Sequence, residues 1–389
     1  MNFLWGSELS PFALKLRALC DYAHLEYRWL PADGGRLENY RASLKIERAK
    51  RKGTVLRYPQ LSPLDEYPLV PFLIEDGGRV LYDSSALAHW LDDCHPPALG
   101  PLFPHADDAL AFVTQLIDES FDEIGLYLVH HNRWVMSART NNAGQRLAHE
   151  FRNVLLPGTL DAFGRRFARR QVRRLPYLFS VAPPDFTVPD LPDELTPPAR
   201  AGFPATHRLL ERIWEQLLDA METVLRAQPF LFGERFTVAD ASAYGQLSMN
   251  LKDPTAADRL RQLAPTTYAW LCDIRDGGHV QRAGAVKLSG QLGPLLRCIV
   301  QTFVPLMRQN AAAYEVERVR GETLFNEPAF NRGRALYDGV LLDQPFRSVV
   351  KTFQVRVWHE LIAAWNALAP ATKAKVSTLA GSDLTDLFS

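Results

Sequence analysis

The sequence predicts an α/β domain at the N-terminus, followed by a larger all-helical part. Up to about residue 95, short apolar segments with strand character alternate with helical segments and turns. From Asp107 onward the chain keeps a helical apolar stripe that begins with Phe112, Leu116 and Ile117. At 389 residues, the chain is long enough for two or three domains with sizeable cores.

Within residues 1–95 the order of elements is strand, helix, strand, connector, hairpin and helix. Pro11 suits the first turn of the first helix, because its fixed φ angle costs nothing there. The connector at 32–68 has no clear period and is predicted to hold a helix and a long loop. This order is that of a thioredoxin-like domain. The predicted strands are 3–5, 26–30, 72–74 and 80–82, and the flanking helices are 11–24 and 85–91.

Residues 105–280 are predicted to form an all-helical domain. An Arg-rich helix at 165–174 precedes a surface loop at 183–204 that is rich in proline and acidic residues. Further on, Thr237 and Asp240 have the spacing of a capping box, in which each side chain can satisfy a backbone N–H of the other residue.

The C-terminal segment, residues 281–389, is predicted to be a helical extension that wraps around the core. Helices are expected at 295–314 and 349–368, the second with an apolar face. The glycine, proline and asparagine residues between them argue against a compact third domain.

Charge and composition disfavour several classes of partner. Lys plus Arg and Asp plus Glu balance at 44 each, so no global field favours nucleic acid or an anionic membrane. No apolar run is long enough to span a bilayer, and the N-terminus does not read as a signal peptide. The four cysteines lie far apart, without CxxC or zinc spacing. We therefore expect a cytoplasmic protein with reduced thiols and no metal, nucleic-acid or membrane partner.

Ser10, directly before Pro11, stands where the first helix is predicted to begin. A hydroxyl there can stabilise a thiolate, because its hydrogen bond and the helix dipole act together. A free thiol has a pKa of about 8.5, and lowering it by two units takes roughly 2.7 kcal/mol of preferential interaction with the anion. The alternative is an ordinary N-cap, since Ser-Pro is common at a helix start.

Two residue pairs flank the predicted hairpin. If the Val70–Pro71 bond is cis, the backbone of Val70 faces outward and an extended peptide can pair with it; a trans bond is the alternative. At the next helix start, Ser84 can bind a carboxylate and Asp83 an amine, or both can simply cap the helix. A γ-glutamyl group offers both charges. The order of these pairs therefore favours a site for a small γ-glutamyl peptide with a thiol.

These segments resemble the glutathione transferase superfamily. The run Ser10-Pro11-Phe12-Ala13-Leu14-Lys15-Leu16-Arg17 looks like the active-site segment of its serine-type classes, such as tau and zeta. Val70-Pro71 matches the cis-proline motif of the superfamily, and Asp83-Ser84 matches its γ-glutamyl motif. Residues 236–242 match the buried capping-box segment of its helical second domain. The resemblance covers roughly residues 1–95 and 105–280 and is more specific for fold than for reaction.

The resemblance implies a fold class and a function. The fold is an α/β thioredoxin-like N-terminal domain plus an all-α glutathione transferase C-terminal domain, here with the helical C-terminal extension. The expected function is transfer of the glutathione thiolate to a small hydrophobic electrophile, with glutathione as cosubstrate, by a cytoplasmic homodimer. Ser10 would be catalytic, and the glutathione-binding residues would be Phe12, Val70, Pro71, Asp83 and Ser84.

Several alternatives stay open at this point. The same fold could serve as a non-catalytic glutathione-binding or protein-interaction module, with the extension as partner surface. A thiol-dependent lyase or reductive dehalogenase would look identical in sequence. The extension could also cap the acceptor pocket or form a dimer interface. Lys45, Arg48 and Lys52 are candidates for the glycine carboxylate of glutathione, although a solvated basic helix is the favoured interpretation.

Tyr127, His130, His131 and Trp134 lie near one another on the first long helix of the second domain. In this superfamily that helix faces the glutathione site, so these side chains could line an acceptor pocket; packing and a solvated histidine are the alternative. For the Arg-rich run at 165–174, a solvated face or pairing with the following acidic loop is favoured over nucleic acid.

Overall fold

The computed structural model describes residues 1–52, 55–57, 64 and 70–388, so the predicted long loop within 32–68 lies mostly outside the described residues. Five short strands and three helices form the described N-terminal part, and the sequence predicted all of them except the strand at 55–57, which lies in the connector. In chain order they are β1 (Asn2–Trp5), α1 (Pro11–Tyr22), β2 (Tyr27–Leu30), α2 (Arg36–Lys52), β3 (Val55–Arg57), β4 (Phe72–Ile74), β5 (Val80–Tyr82) and α3 (Ser84–Cys94).

The strands form one mixed sheet in the order β2-β1-β4-β5-β3. β1 runs parallel with β2 and antiparallel with β4, β4 and β5 form the predicted hairpin, and β3 runs parallel with β5. Successive side chains in a strand point to opposite faces. Leu4 and Leu73 therefore pack towards α1 and α3, whereas Trp5 and Phe72 pack towards α2. This is the thioredoxin-like layering.

Eight α-helices follow the sheet domain. They are α4 (Asp108–Ser120), α5 (Leu126–His131), α6 (Ala143–Glu150), α7 (Leu160–Arg174), α8 (His207–Ala227), α9 (Val238–Leu247), α10 (Pro254–Leu263) and α11 (Pro265–Arg275). Two π-helical turns, Phe121–Gly125 and Asn132–Met136, follow α4 and α5 within one long helical segment. Such turns are frequent at functional sites. The predicted capping box of Thr237 and Asp240 is confirmed at the start of α9.

Helices α1 and α9 approach each other closely. A Cβ atom at Gly245 of α9 would lie 2.6 Å from the carbonyl oxygen of Pro11, so any side chain there would push the helices apart. The first turn of α1 is therefore seated on the helical domain, and Ser10, which precedes it, lies at the boundary between the two domains.

The extension contains five helices and, unlike the prediction, a β-hairpin. Its elements are α12 (Gly293–Gln301), α13 (Phe303–Val319), α14 (Asn326–Asn331), β6 (Leu336–Leu341), β7 (Gln344–Val349), α15 (Thr352–Ala367) and α16 (Pro370–Ala380). The helix expected at 295–314 is present in two pieces, and the helix expected at 349–368 begins later because β7 ends at Val349. The hairpin turn places Leu342 and Asp343 at positive φ (47° and 61°), which Asn-Gly usually signals in sequence.

The extension packs into the main core and does not hang from it. The ring of Phe112 on α4 lies 5.2 Å from that of Trp365 and 5.5 Å from that of Phe388. Both extension residues are almost fully buried. The end of the extension therefore packs against α4. In the part of the chain that the structure describes, no helix is both long and apolar enough to cross a membrane.

Candidate functional site

A cavity of about 500 Å³ lies where the sheet domain, the helical domain and the extension meet. Its wall is built from the loop before α1, the start of α3, the long α4–α5 segment, α7 and the first turns of α15. The fold thus brings together residues that are far apart in the chain. All six residues that the sequence nominated line this one cavity: Ser10, Phe12, Val70, Pro71, Asp83 and Ser84.

Ser10 is the N-cap of α1, and Pro11 occupies the first helical position. The Ser10 Oγ accepts a hydrogen bond from the Ala13 N–H at 3.3 Å, and no acceptor for its own proton is found among the described residues. Ser7, the other serine of this loop, differs. Its Oγ accepts from the Leu9 N–H at 3.0 Å, and its hydroxyl partly offsets the burial that raises the pKa of Glu150. Ser7 does not cap α1, whereas Ser10 does.

The Val70–Pro71 peptide bond is cis, and the trans alternative that the sequence left open is not adopted. Val70 is 37% exposed, and both residues line the cavity at the entrance to β4. No strand among the described residues pairs with the backbone of Val70, so an extended peptide has access to it.

Asp83 and Ser84 open α3 and face the cavity together. The Asp83 Oδ1 accepts from the Ala86 N–H at 3.1 Å, which makes Asp83 the N-cap of the helix. Its φ of 73° is unusual for a residue other than glycine, and such strain concentrates at binding sites. The Asp83 Oδ2 lies 3.7 Å from an Nη of Arg356 on α15. Capping and an accessible carboxylate therefore coexist at this position.

A buried ion cluster that sequence reasoning missed forms the floor beside this helix start. The Lys15 ammonium donates to Asp118 and Asp122, both at 2.7 Å, and to the Ser85 hydroxyl at 2.6 Å. The Ser242 hydroxyl donates to Asp118 as well. The sequence did hold a signal: Lys15 lies four residues before Leu19, on the buried stripe of α1, where an isolated lysine is unfavourable.

Three carboxyl groups of the long helix, Glu119, Asp122 and Glu123, also line the cavity. Burial raises the pKa of Glu119 well above its ordinary value and that of Asp122 in the same direction. Burial likewise raises the pKa of Glu123 to about 7, although a hydrogen bond from Gln354 opposes the shift. This wall therefore carries less negative charge at neutral pH than its composition indicates.

The extension supplies Lys351, Phe353 and Arg356 to the cavity wall. Lys351, just before α15, donates to the Tyr127 hydroxyl at 2.6 Å. Gln354 donates to the same hydroxyl at 2.8 Å and to Glu123 at 2.9 Å. The extension therefore forms part of the cavity wall.

The opposite half of the cavity, next to Ser10, is apolar. Trp134 and Phe167 face each other there with ring centroids 6.1 Å apart. Other apolar side chains complete this half: Leu9, Leu147 and Phe151. The predicted contribution of Trp134 to the cavity wall is thus present.

The remaining predicted pocket residues behave differently from one another. Tyr127 lines the cavity, but Lys351 and Gln354 hold its hydroxyl. His130 also lines it; its Nδ1–H donates to the Leu126 carbonyl at 2.9 Å, and burial lowers its pKa to about 3, so the ring is neutral. His131 is not in this wall: it is fully buried and contacts the Ser180 hydroxyl at 3.0 Å.

The three lysine and arginine candidates on α2 lie outside the cavity. Lys45, Arg48 and Lys52 are absent from its described lining. Lys50 comes closer, because it lines a second cavity that includes Val70, and its ammonium lies 4.9 Å from the Phe72 ring centre. Sequence reasoning missed this residue, since one helical face cannot be told from another in a uniformly basic run.

The Arg-rich run pairs within the protein. Arg169 of α7 donates to Glu194 at 2.8 Å, in the acidic loop, as one alternative predicted. Arg174 donates to Glu327 of the extension at 2.9 Å. These pairs involve two of the six arginines of the run.

The architecture is a thioredoxin-like domain joined to an all-helical domain, with the cavity of about 500 Å³ between them. Residues 4–99 match the family model of the glutathione S-transferase N-terminal domain, and residues 197–272 match that of the C-terminal domain. The chain belongs to the glutathione transferase superfamily.

Among solved structures, the chain is similar to a glutathione S-transferase from Rhodospirillum rubrum, at 18% identity over 76% of this chain and 92% of that one, with a TM-score of 0.35. It is also similar to a beta-etherase from Sphingobium, at 17% identity over 72% of this chain and 97% of that one, with a TM-score of 0.42. A third similar structure is a glutathione S-transferase from Ceriporiopsis subvermispora in complex with glutathione, at 16% identity over 71% of this chain and 97% of that one, with a TM-score of 0.42. No curated protein matches the chain.

Proposed function

We propose that this protein is a glutathione transferase that joins the glutathione thiolate to a hydrophobic electrophile. One observation carries the proposal: Ser10, at the N-terminus of α1, lines the same cavity as Val70 and the pair Asp83 and Ser84. In this arrangement Val70 pairs with the cysteinyl backbone, and Asp83 and Ser84 hold the γ-glutamyl group. The cysteinyl sulfur then points towards Ser10.

Ser10 stabilises the thiolate by donating its free proton to the sulfur. Its oxygen already accepts from Ala13, which orients the hydroxyl at the positive end of α1. Lowering the thiol pKa from about 8.5 by two units corresponds to roughly 2.7 kcal/mol. Two effects acting on one sulfur, a charge-assisted hydrogen bond and the helix dipole, together have this magnitude.

The electrophile occupies the apolar half of the cavity, between Trp134 and Phe167. Aromatic walls there bury a hydrophobic acceptor and exclude water from the reacting atoms. The sulfur forms a bond to the electrophilic carbon, and the leaving group departs with its bonding electrons. A serine at position 10 provides no second thiol, so a mixed-disulfide route is disfavoured.

The test is the pKa of the bound thiol. Glutathione binding is measured by calorimetry, and thiolate formation in the complex is followed by ultraviolet absorbance against pH. Wild type should bind glutathione with a thiol pKa about two units below the free value. Ser10→Ala should raise that pKa towards 8.5 and lower the conjugation rate at neutral pH by up to about 25-fold, the change in thiolate fraction at pH 7. Ser7→Ala is the matched comparison, because Ser7 lies in the same loop but does not cap α1.

Two results would overturn this function in different ways. If glutathione binds but its thiol keeps the free pKa in wild type, the fold is a non-catalytic glutathione-binding module. If glutathione does not bind, the protein-interaction alternative gains, and the cavity has another ligand.

The homodimeric state and the cytoplasmic location stay predictions. Light scattering on the purified full chain tests the first, since a dimer has twice the 43.9 kDa mass of one chain. Fractionation of cells that express the protein tests the second.

A further inference from the structure

Helix α15 of the extension delivers a guanidinium to the acid–serine pair at the start of α3. Arg356 lies in the second turn of α15, with a side chain that is only 11% exposed, and it lines the same cavity as Asp83 and Ser84. Its Nη2 lies 3.7 Å from the Asp83 Oδ2, and its Nη1 donates to the Glu360 carboxylate at 2.9 Å and 3.1 Å. A positive and a negative group thus share one end of the cavity.

The position of Arg356 is set by contacts on either side. Gln354, two residues earlier, donates to Glu123 and Tyr127 of the long helix. Glu360, one turn later, holds the guanidinium through two hydrogen bonds. Val357, the next residue, is buried in the main core. A side chain held in this way loses little further conformational freedom on binding a ligand.

The charge pattern matches the end of a γ-glutamyl group, which carries an ammonium and a carboxylate on the same carbon atom. Asp83 complements the ammonium. The carboxylate has two oxygens in one plane, and a guanidinium can meet both with parallel N–H donors. A serine hydroxyl and one helix N–H at Ser84 leave acceptor capacity on those oxygens unused.

We propose that Arg356 binds the α-carboxylate of the γ-glutamyl group of glutathione, alongside Ser84, and that the extension is therefore part of the glutathione site. This rests on the proposed function. When glutathione binds, its ammonium pairs with the Asp83 oxygen that faces Arg356 in the unliganded protein. Its α-carboxylate then lies between Ser84 and the guanidinium. The extension then contributes to binding of the first substrate.

The experiment separates the two charges with three ligands. Glutathione carries both; glutaryl-cysteinylglycine lacks the ammonium, and 4-aminobutyryl-cysteinylglycine lacks the α-carboxylate. Dissociation constants are measured by calorimetry for wild type, Arg356→Gln and Arg356→Lys. Arg347→Ala is the matched control, because Arg347 is an extension arginine that pairs with Asp338 outside the cavity.

Arg356→Gln should weaken glutathione and glutaryl-cysteinylglycine by about 10- to 100-fold, the effect of a lost hydrogen bond to a charged group. It should leave 4-aminobutyryl-cysteinylglycine unchanged. Arg356→Lys keeps a cation in the same space and should show a smaller loss with the same ligand dependence. Arg347→Ala should bind all three ligands as wild type does.

Each contrary result is distinct. If wild type binds none of the three ligands, the proposed function fails. If wild type and Arg356→Gln bind glutathione equally, Arg356 does not contact the ligand. If the variant binds more tightly, Arg356 opposes binding. In both cases only this inference fails, and the proposed function stands. An equal loss for all three ligands in Arg356→Gln and Arg356→Lys also overturns it, because the arginine would then only hold α15 in place.

Discussion

The ammonium of Lys15 lies 2.7 Å from a carboxylate oxygen of Asp118, although both side chains are only 1% exposed. Lys15 belongs to α1 and Asp118 to α4, so the pair joins the sheet domain to the helical domain beneath the cavity. Burial alone would lower the pKa of Lys15, but the carboxylates of Asp118 and Asp122 raise it above its ordinary value. The Lys15 ammonium therefore stays charged at neutral pH.

Replacing Lys15 should be costly, because two buried carboxylates would lose their counter-ion. We expect Lys15→Met to lower the free energy of unfolding by about 3–5 kcal/mol, measured by denaturant titration. Lys375→Ala removes an exposed lysine that pairs with Asp107 and should cost no more than about 1 kcal/mol. A loss for Lys15→Met as small as that of the control would show that the cluster does not hold the domains.

The raised pKa of Glu123, about 7, predicts a pH dependence of stability. Between about pH 4 and that value, Glu123 keeps its proton in the folded state but loses it in the unfolded state, so folding takes up a proton. Stability must then fall as pH rises through this window. Burial raises the pKa of Asp122 and Asp240 too, which adds slope of the same sign.

Glu123→Gln should therefore flatten the decline of the melting temperature between pH 5 and pH 8. The amide can still accept from Gln354, and Lys351 and Arg356 stay nearby. Asp338→Asn is the control: Arg347 lowers the pKa of Asp338, so this group is ionised in both states over the whole range. An unchanged slope in Glu123→Gln would contradict the prediction.

Phe167 should affect the second substrate and not glutathione. With a halogenated nitrobenzene as electrophile, we expect Phe167→Ala to raise its KM about 10-fold, the effect of removing part of an apolar wall. The dissociation constant of glutathione should stay as in wild type. Phe163→Ala removes the same side chain from the same helix, at a position absent from the described cavity lining. Equal effects of both substitutions would place the electrophile elsewhere.

Phe388 ties the end of the extension to the core, with rings of Trp358 and Trp365 at 5.2 Å and 5.3 Å. Phe388→Ala should lower the free energy of unfolding by about 3–5 kcal/mol, because a buried aromatic ring leaves a cavity. Val319→Ala, at an 80% exposed position of the extension, should change it by less than about 0.5 kcal/mol. A Phe388→Ala effect within that range would mean that the terminus is only loosely attached.

Local pattern explains why much of the fold could be predicted. The strand-helix order of the first domain, the cap at Ser10 and the capping box at Asp240 depend on residues within a few positions of one another. The hairpin of β6 and β7 escaped prediction for a local reason too. Leu342 and Asp343 form its turn; aspartate tolerates positive φ, but a leucine beside it is not a turn signal.

The sequence by itself predicted the fold class from local patterns, and its short motifs carried the resemblance to the family and nominated six residues that line one cavity. Only the tertiary structure decided what surrounds them. The contact of Lys15 with Asp118 spans 103 positions, and Arg356 reaches Asp83 from the far end of the chain. No periodicity records such contacts, since they arise when separate helices pack. That packing turned an extension of unknown role into one wall of the cavity.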